Sequence, residues 1–167
     1  MIHAIETGIS SDPEMNWKIK DLDNIAIVSF SDLHSFWPWR LGRESTIFKK
    51  PEKLSYDEII RQIREKDFIG TVETDPAYGK YHYDGHRLCG VRLSPEETRQ
   101  HKNICPKCGK PVTVGVMNRV EQLADRQEGF VPPNAIPFKN LIPLDEIIAE
   151  ARGVGKGSVA VERDYRA

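Results

Sequence analysis

The chain has 167 residues, an apolar share of 39% and a formal net charge of −1, which leaves room for one ordinary domain, or a partial domain plus a small one. Charge this close to balance excludes the global basic field that announces a nucleic-acid binder. No apolar run is long enough to span a bilayer, and no secretory leader pattern follows Met1.

The chain opens on an apolar segment, Ile2 to Ile5, that ends in Glu6-Thr7-Gly8 and passes into the polar loop Ser10-Ser11-Asp12-Pro13. A short helix is expected from about Met15 to Leu22. Ile25 to Phe30 is a near-continuous apolar run of strand length, the pattern of a strand buried on both faces between two neighbours. It ends in Ser31-Asp32-Leu33-His34. An aromatic loop follows, with Phe36, Trp37 and Trp39, then a short strand near Ser45 to Phe48. The next element is a helix from Ser55 to Lys66, with Ser55 and Glu58 spaced as a capping box and Ile59, Ile60 and Ile63 on one face. Phe68 to Val72 reads as another strand.

This alternation of strands and helices is that of α/β architecture, in the manner of the last units of a barrel or an open parallel sheet. Two or three parallel strands leave edges that need partners. The expectation is therefore a piece of a longer polypeptide, or a chain that pairs with a second one.

The segment Tyr81–Lys110 carries the most specific pattern. His86-x-x-Cys89-Gly90 is followed by Cys105-x-x-Cys108-Gly109, so each half has two ligands separated by two residues and then a glycine that lets the chain turn back under a metal. Three thiolates and one imidazole complete a tetrahedral set with no position left for water, which points to structural zinc. All three cysteines of the chain are used. His86 stands at the knuckle spacing from Cys89, and His82 on the same segment is its rival for the fourth position. Thiols spent on metal instead of disulfides fit a cytoplasmic protein.

Beyond this module a helix is expected from about Asn118 to Asp125. Pro132, Pro133, Pro137 and Pro143 mark a stiff, extended connection, and a last helix runs from Leu144 to Arg152. The remainder, Gly153 to Ala167, reads as a flexible charged tail that closes nothing. Its Gly153-Val154-Gly155-Lys156-Gly157-Ser158 is not a phosphate loop, because Lys156 precedes Gly157 and the segment follows a helix.

Chemistry is sought at the carboxyl ends of strands, where α/β barrels and sheets place it. Asp32 and His34 follow the apolar strand, and residues two apart at a strand end share a side. A carboxylate with an imidazole suits a divalent metal. Glu6 ends a strand on the same rim. Trp17, Trp37 and Trp39 are read as packing residues. Arg40, Arg43, Lys49 and Lys50 are read as a solvated face.

Taken together, IETGISSDPEMNW, SFSDLHS, LSYDEII, GKYHYDGHRLCGVRLSPEET, ICPKCGKPVTVGV and EGFVPPNAIPF resemble endonuclease Q, of the PHP-type phosphoesterase superfamily, from Ile2 to about Glu150. The resemblance implies a PHP-type β/α barrel, a zinc-containing insert and a C-terminal helical region. It implies a DNA repair endonuclease that cuts 5′ of deaminated bases (hypoxanthine, uracil, xanthine) or abasic sites. Asp32 and His34 match the family's Asp-x-His pair and would be catalytic metal ligands. Glu6, Ser10, Ser11 and Asp12 would lie on the barrel rim as substrate-binding residues. The family's opening His-x-His motif and its further ligands have no counterpart here.

The expected organisation is thus a partial PHP-type barrel over 1–79, a zinc-binding knuckle module over 80–117 and a truncated helical or extended region over 118–167. The expected ions are one structural zinc, with Zn, Mn, Mg or Fe in the complete barrel. Damaged DNA is the expected partner, together with the missing N-terminal barrel half as a separate chain, and no membrane. A chain with so few catalytic ligands would be inactive alone. From another class, a zinc-ribbon module that binds nucleic acid or a protein without catalysis fits the same residues.

Overall fold

A computed structural model describes residues 2–167. Strand β1 (Ala4–Glu6) pairs in parallel with β2 (Ala26–Val28), with Ala4 opposite Ala26 and Glu6 opposite Val28. Between them lies helix α1 (Pro13–Trp17), followed by a single tight turn at Lys20–Leu22. Asp12 caps α1 by accepting from Met15 N at 2.8 Å, and Pro13 supplies a first helical residue whose missing N–H costs nothing there.

The apolar run at 25–30 is less embedded than its composition predicts. Only Ala26–Val28 is strand, β1 is its one ladder partner, and Phe30 is exposed. Its other edge meets a side chain instead of a strand: Ser29 N donates to Thr46 Oγ1, which in turn donates to Ser29 O, both at 3.0 Å.

Thr46 belongs to β3 (Ser45–Ile47), which runs antiparallel to β4 (Gly70–Glu73). β7 (Phe138–Asn140), drawn from the proline-marked connection, lies parallel on the far side of β4. Between β3 and β4 stands helix α2 (Tyr56–Arg64), with Ser55 Oγ accepting from Glu58 N. The expected capping box is only half made. The Glu58 carboxylate turns forward to Arg61 and Gln62, because charge-assisted bonds on its own helix face outcompete the return bond to the cap. Ala26, Val28 and Phe68 form a small core, flanked by Ala4, Phe48, Ile63 and Ile136.

A second unit of core holds Leu93, Cys105 and Val112, with Cys89 and Val91 against them. It is built on the hairpin β5 (Asp84–His86) and β6 (Val91–Leu93), followed by α3 (Pro95–Gln100). Here a complete capping box does form, between Ser94 and Glu97. Helix α4 (Val116–Leu123) starts and stops two residues earlier than its sequence pattern predicts.

Helix α5 (Leu144–Arg152) ends at Gly153, whose φ of 64° is the left-handed conformation glycine adopts freely. The expected flexible tail is corrected: α6 (Val159–Tyr165) follows, capped by Ser158. Val161 is buried, Arg152 pairs with Asp164, and Tyr165 sets its edge against Trp39. A helix this short is marginal alone, so packing against α5 and Trp39 supplies what propensity does not. The whole is mixed α/β, with three separate small sheets among the described residues. No helix among them is long and apolar enough to cross a membrane.

Candidate metal centre and strand-end site

The β5–β6 turn and the loop after α3 bring His86, Cys89, Cys105 and Cys108 together. One ligand atom from each lies within 4.8 Å of all the others. His86 Nδ1 is 3.0 Å from Cys89 Sγ and 3.3 Å from Cys108 Sγ. Both knuckle glycines turn the chain as the spacing requires: Gly90 has φ 60° and Gly109 φ 70°. The turns are closed by Gly90 N donating to Arg87 O and Gly109 N donating to Cys105 O. Lys107 Nζ donates to Cys89 O and ties one knuckle to the other.

The chemistry of this donor set fits a cation. The thiols crowd one another: Cys89 is pushed up to about 11, chiefly by its hydrogen bond with Cys108 and then by burial. A divalent ion removes that penalty, since a coordinating thiol is deprotonated outright. The four residues could therefore hold a metal ion. His82 is elsewhere. Its ring is buried, with Nδ1 3.0 Å from Ser10 O.

The strand ends hold two groups of residues. Asp32 and His34 are adjacent and exposed, with His34 Nδ1 2.7 Å from Asp32 O and 3.8 Å from Asp32 Oδ2. The adjacency arises by a different route from the extended geometry expected. Asp32 has φ 42°, so the chain turns there and the imidazole folds back over the preceding carbonyl. Ser31 anchors this loop, accepting from Gly42 N and donating to Glu44 O. Glu6 is exposed at the end of β1.

Ser10, Ser11 and Asp12 form the second group. Ser11 Oγ donates to Thr7 O and accepts from Asn16 Nδ2, while Asp12 caps α1. Burial raises the Asp12 carboxyl above its ordinary value. With Asp75 and His82, Asp12 lines a cleft of about 320 Å³ between α1 and α4. No hydrogen bond joins these three residues to Asp32 or His34 among the described residues.

Among the buried carboxylates that the sequence reading passed over are Glu73 and Glu44. Glu73 is fully buried and accepts from Thr7, Ser29 and Thr71. Glu44 is equally buried, with one oxygen taken by Arg43 and Thr74 and Oε2 unpartnered. A signal for Glu73 was present. Thr71 and Glu73 alternate with Val72 in a strand, so the two polar residues share one face and must share one environment.

Comparison with known proteins identifies the wider relationship. No family model matches the chain. It is 34% identical over 165 residues to an uncharacterized protein of Methanocaldococcus jannaschii, covering 95% of this chain and 20% of that protein. It is 29% identical over 135 residues to an uncharacterized protein of Bacillus subtilis, 79% of this chain and 33% of that one. The lesion-specific endonuclease PfuEndoQ from Pyrococcus furiosus superposes on 98% of the chain with a TM-score of 0.82 and 34% identity. The chain is a relative of endonuclease Q in both sequence and fold. A second endonuclease Q structure, bound to a 27-mer duplex with an abasic lesion at its active site, superposes with a TM-score of 0.84 at 33% identity. The chain spans 41% of the length of each endonuclease Q.

Proposed function

We propose that the chain is the C-terminal portion of a metal-dependent DNA repair endonuclease of the endonuclease Q type. The reading has the complete enzyme cut 5′ of deaminated bases or abasic sites. The observation that carries it is the match to endonuclease Q over 98% of the chain at a TM-score above 0.8. In this reading residues 1–79 are part of a PHP-type β/α barrel, 80–117 a zinc-binding knuckle module and 118–167 a helical or extended C-terminal region. His86, Cys89, Cys105 and Cys108 hold zinc in a purely structural role. Asp32 and His34 contribute to a divalent-metal centre, and Glu6, Ser10, Ser11 and Asp12 lie toward the substrate. The protein acts on DNA in the cytoplasm.

The chain is inactive by itself in this reading. Two-metal hydrolysis holds both ions roughly 4 Å apart to stabilise attacking and leaving oxygens together. One carboxylate and one imidazole do not supply that clamp. The remaining ligands would come from an N-terminal barrel half, fused or in trans.

The test is a labelled duplex with one deoxyinosine, incubated with Mn or Mg. The completed protein is expected to cut 5′ of the lesion and the chain alone is not. Robust cutting by the chain alone overturns the ligand-count argument, and failure of the completed protein to cut overturns the nuclease reading. A second reading, a non-catalytic zinc-ribbon module, is favoured by one observation: the four-ligand cluster is complete within this chain.

A further inference from the structure

A cleft of about 450 Å³ separates the Pro76–Tyr78 turn from the β5–β6 hairpin. The function proposed above assigns it no role. Three tyrosines line it, Tyr78, Tyr81 and Tyr83, with three cations, Lys80, Arg87 and Arg92. Tyr78 and Tyr81 are each 58% exposed, too open for packing residues and too aromatic for an ordinary solvated rim.

The cations are placed against the rings. Lys80 Nζ lies 4.7 Å from the Tyr81 ring centre, and the Arg92 guanidinium 3.8 Å from that of Tyr83. Arg92 also donates to Ala77 O at 2.9 Å, which joins the two walls. The one acid of the lining, Asp84, is buried and spends its carboxylate on Gly115 N and Asn118 Nδ2. So the open surface of the cleft carries positive charge and aromatic faces, although the chain as a whole is near neutral.

Glycines hold the walls close. A side chain at Gly85 would run into Val91 O, and one at Gly115 into the Tyr83 backbone. The cleft is therefore set by backbone contacts, and its exposed rings are presented by a fixed frame.

Cations beside exposed aromatic planes are the means by which proteins hold single strands: phosphates meet the charges and bases stack on the rings. Resting on the reading of this chain as part of a DNA-acting enzyme, we propose that this cleft binds an unpaired stretch of nucleic-acid strand. Bases stack on Tyr78 and Tyr81, and phosphates lie against Lys80 and Arg87. An acidic peptide would satisfy the cations but would leave two exposed phenol rings without planar partners.

The test is fluorescence anisotropy of a labelled short oligothymidylate titrated with the metal-loaded chain, with no lesion and no cleavage. Tyr81→Ala and Tyr78→Ala are each expected to weaken binding about 5- to 150-fold. Tyr81→Phe retains binding, because the ring and not the hydroxyl is used. Lys80→Gln lowers the salt slope by about one. Metal stoichiometry confirms that each variant is folded. Absence of binding by the wild-type chain, or folded tyrosine variants that bind as tightly as wild type, overturns the proposal. So does displacement of the strand by polyglutamate with the same tyrosine dependence, which would assign the cleft to a protein partner. Cleavage by the completed enzyme is a separate readout. Its failure with strand binding intact counts against the nuclease reading alone, and loss of strand binding with cleavage intact against the cleft alone.

Discussion

Thr7 donates its hydroxyl to Glu73 at 2.8 Å, across 66 positions of sequence. Ser29 reaches the same oxygen at 2.9 Å and Thr71 the other at 2.6 Å. The ends of β1 and β2 are thereby fastened to β4, and two sheets that share no ladder are joined through one buried carboxylate. Three hydroxyl donors satisfy the charge, but burial outweighs them and raises the Glu73 carboxyl above its ordinary value; Asp12 adds to the rise.

This predicts a pH-dependent role for Glu73. A carboxyl raised in the folded state contributes stability that is fully present below its unfolded value and is lost as pH rises through the folded one. Thermal unfolding of wild type and Glu73→Gln is the measurement, from acid to neutral pH. The advantage of wild type over the variant is expected to shrink as pH rises. An advantage that grows with pH would mean a depressed carboxyl and would sink the argument. Thr7→Val, nearly isosteric, is expected to cost about 1–3 kcal/mol by withdrawing one donor from a buried acceptor.

The metal centre predicts a second set of outcomes. Cys105 is both a ligand candidate and part of the Leu93–Val112 core. A structural zinc contributes on the order of 10 kcal/mol to folding. Cys105→Ser is expected to abolish stoichiometric metal and unfold the β5–β6 unit, and a strong chelator to do the same to wild type. His86→Gln should lose tight metal binding, while His82→Gln should keep one ion per chain. Elemental analysis of the purified variants decides this, and an intact stoichiometry in His86→Gln would remove His86 from the ligand set.

Glycine substitutions separate crowding from backbone conformation. Gly85 has no room for a side chain, since Val91 O occupies that space. Gly85→Ala is expected to cost about 1–3 kcal/mol through forced backbone shifts. Gly90 has open space but φ 60°, so Gly90→Ala is expected to cost about 1–2 kcal/mol from conformation alone. Chemical denaturation of both variants checks the pair. A neutral Gly85→Ala would show that the hairpin relaxes freely.

The metal cluster was legible in the sequence because its geometry is local. Each half carries its own ligand spacing and its own turning glycine, and the structure only has to bring two prepared halves together. Glu73 was not legible, because nothing near it in sequence says that Thr7 and Ser29 will meet it. Helix α6 was hidden for a related reason. Its glycine-rich lead and charged surface resemble a tail, and only contact with α5 and Trp39 makes Val161 a core residue. The apolar run at 25–30 misled in the opposite direction. Apolar composition announced two ladder partners, yet one edge is served by the Thr46 hydroxyl.

The last prediction concerns Asp32 and His34. Their side chains are more than four-fifths exposed and bury nothing. Asp32 sits in the left-handed region, which aspartate, like asparagine and glycine, adopts more readily than other residues. Substitution at such exposed positions typically changes stability by no more than about 0.5 kcal/mol. His34→Ala is therefore expected to leave the melting temperature of the chain nearly unchanged, whereas Asp32→Ala should cost at most about 1–2 kcal/mol, from the left-handed backbone alone. In the completed protein of the proposed reading the expectation is different. A ligand of a catalytic ion should cost more than the roughly 10–100-fold that loss of an outer-shell partner costs. On the proposed reading DNA binding should persist, because the substitution would withdraw a metal ligand and not a DNA contact. Melting curves, cleavage of a deoxyinosine duplex and a binding titration on the same preparations make the comparison. Full cleavage by Asp32→Ala would exclude Asp32 from the metal centre, whereas parallel loss of binding and cleavage would make it a DNA-positioning residue.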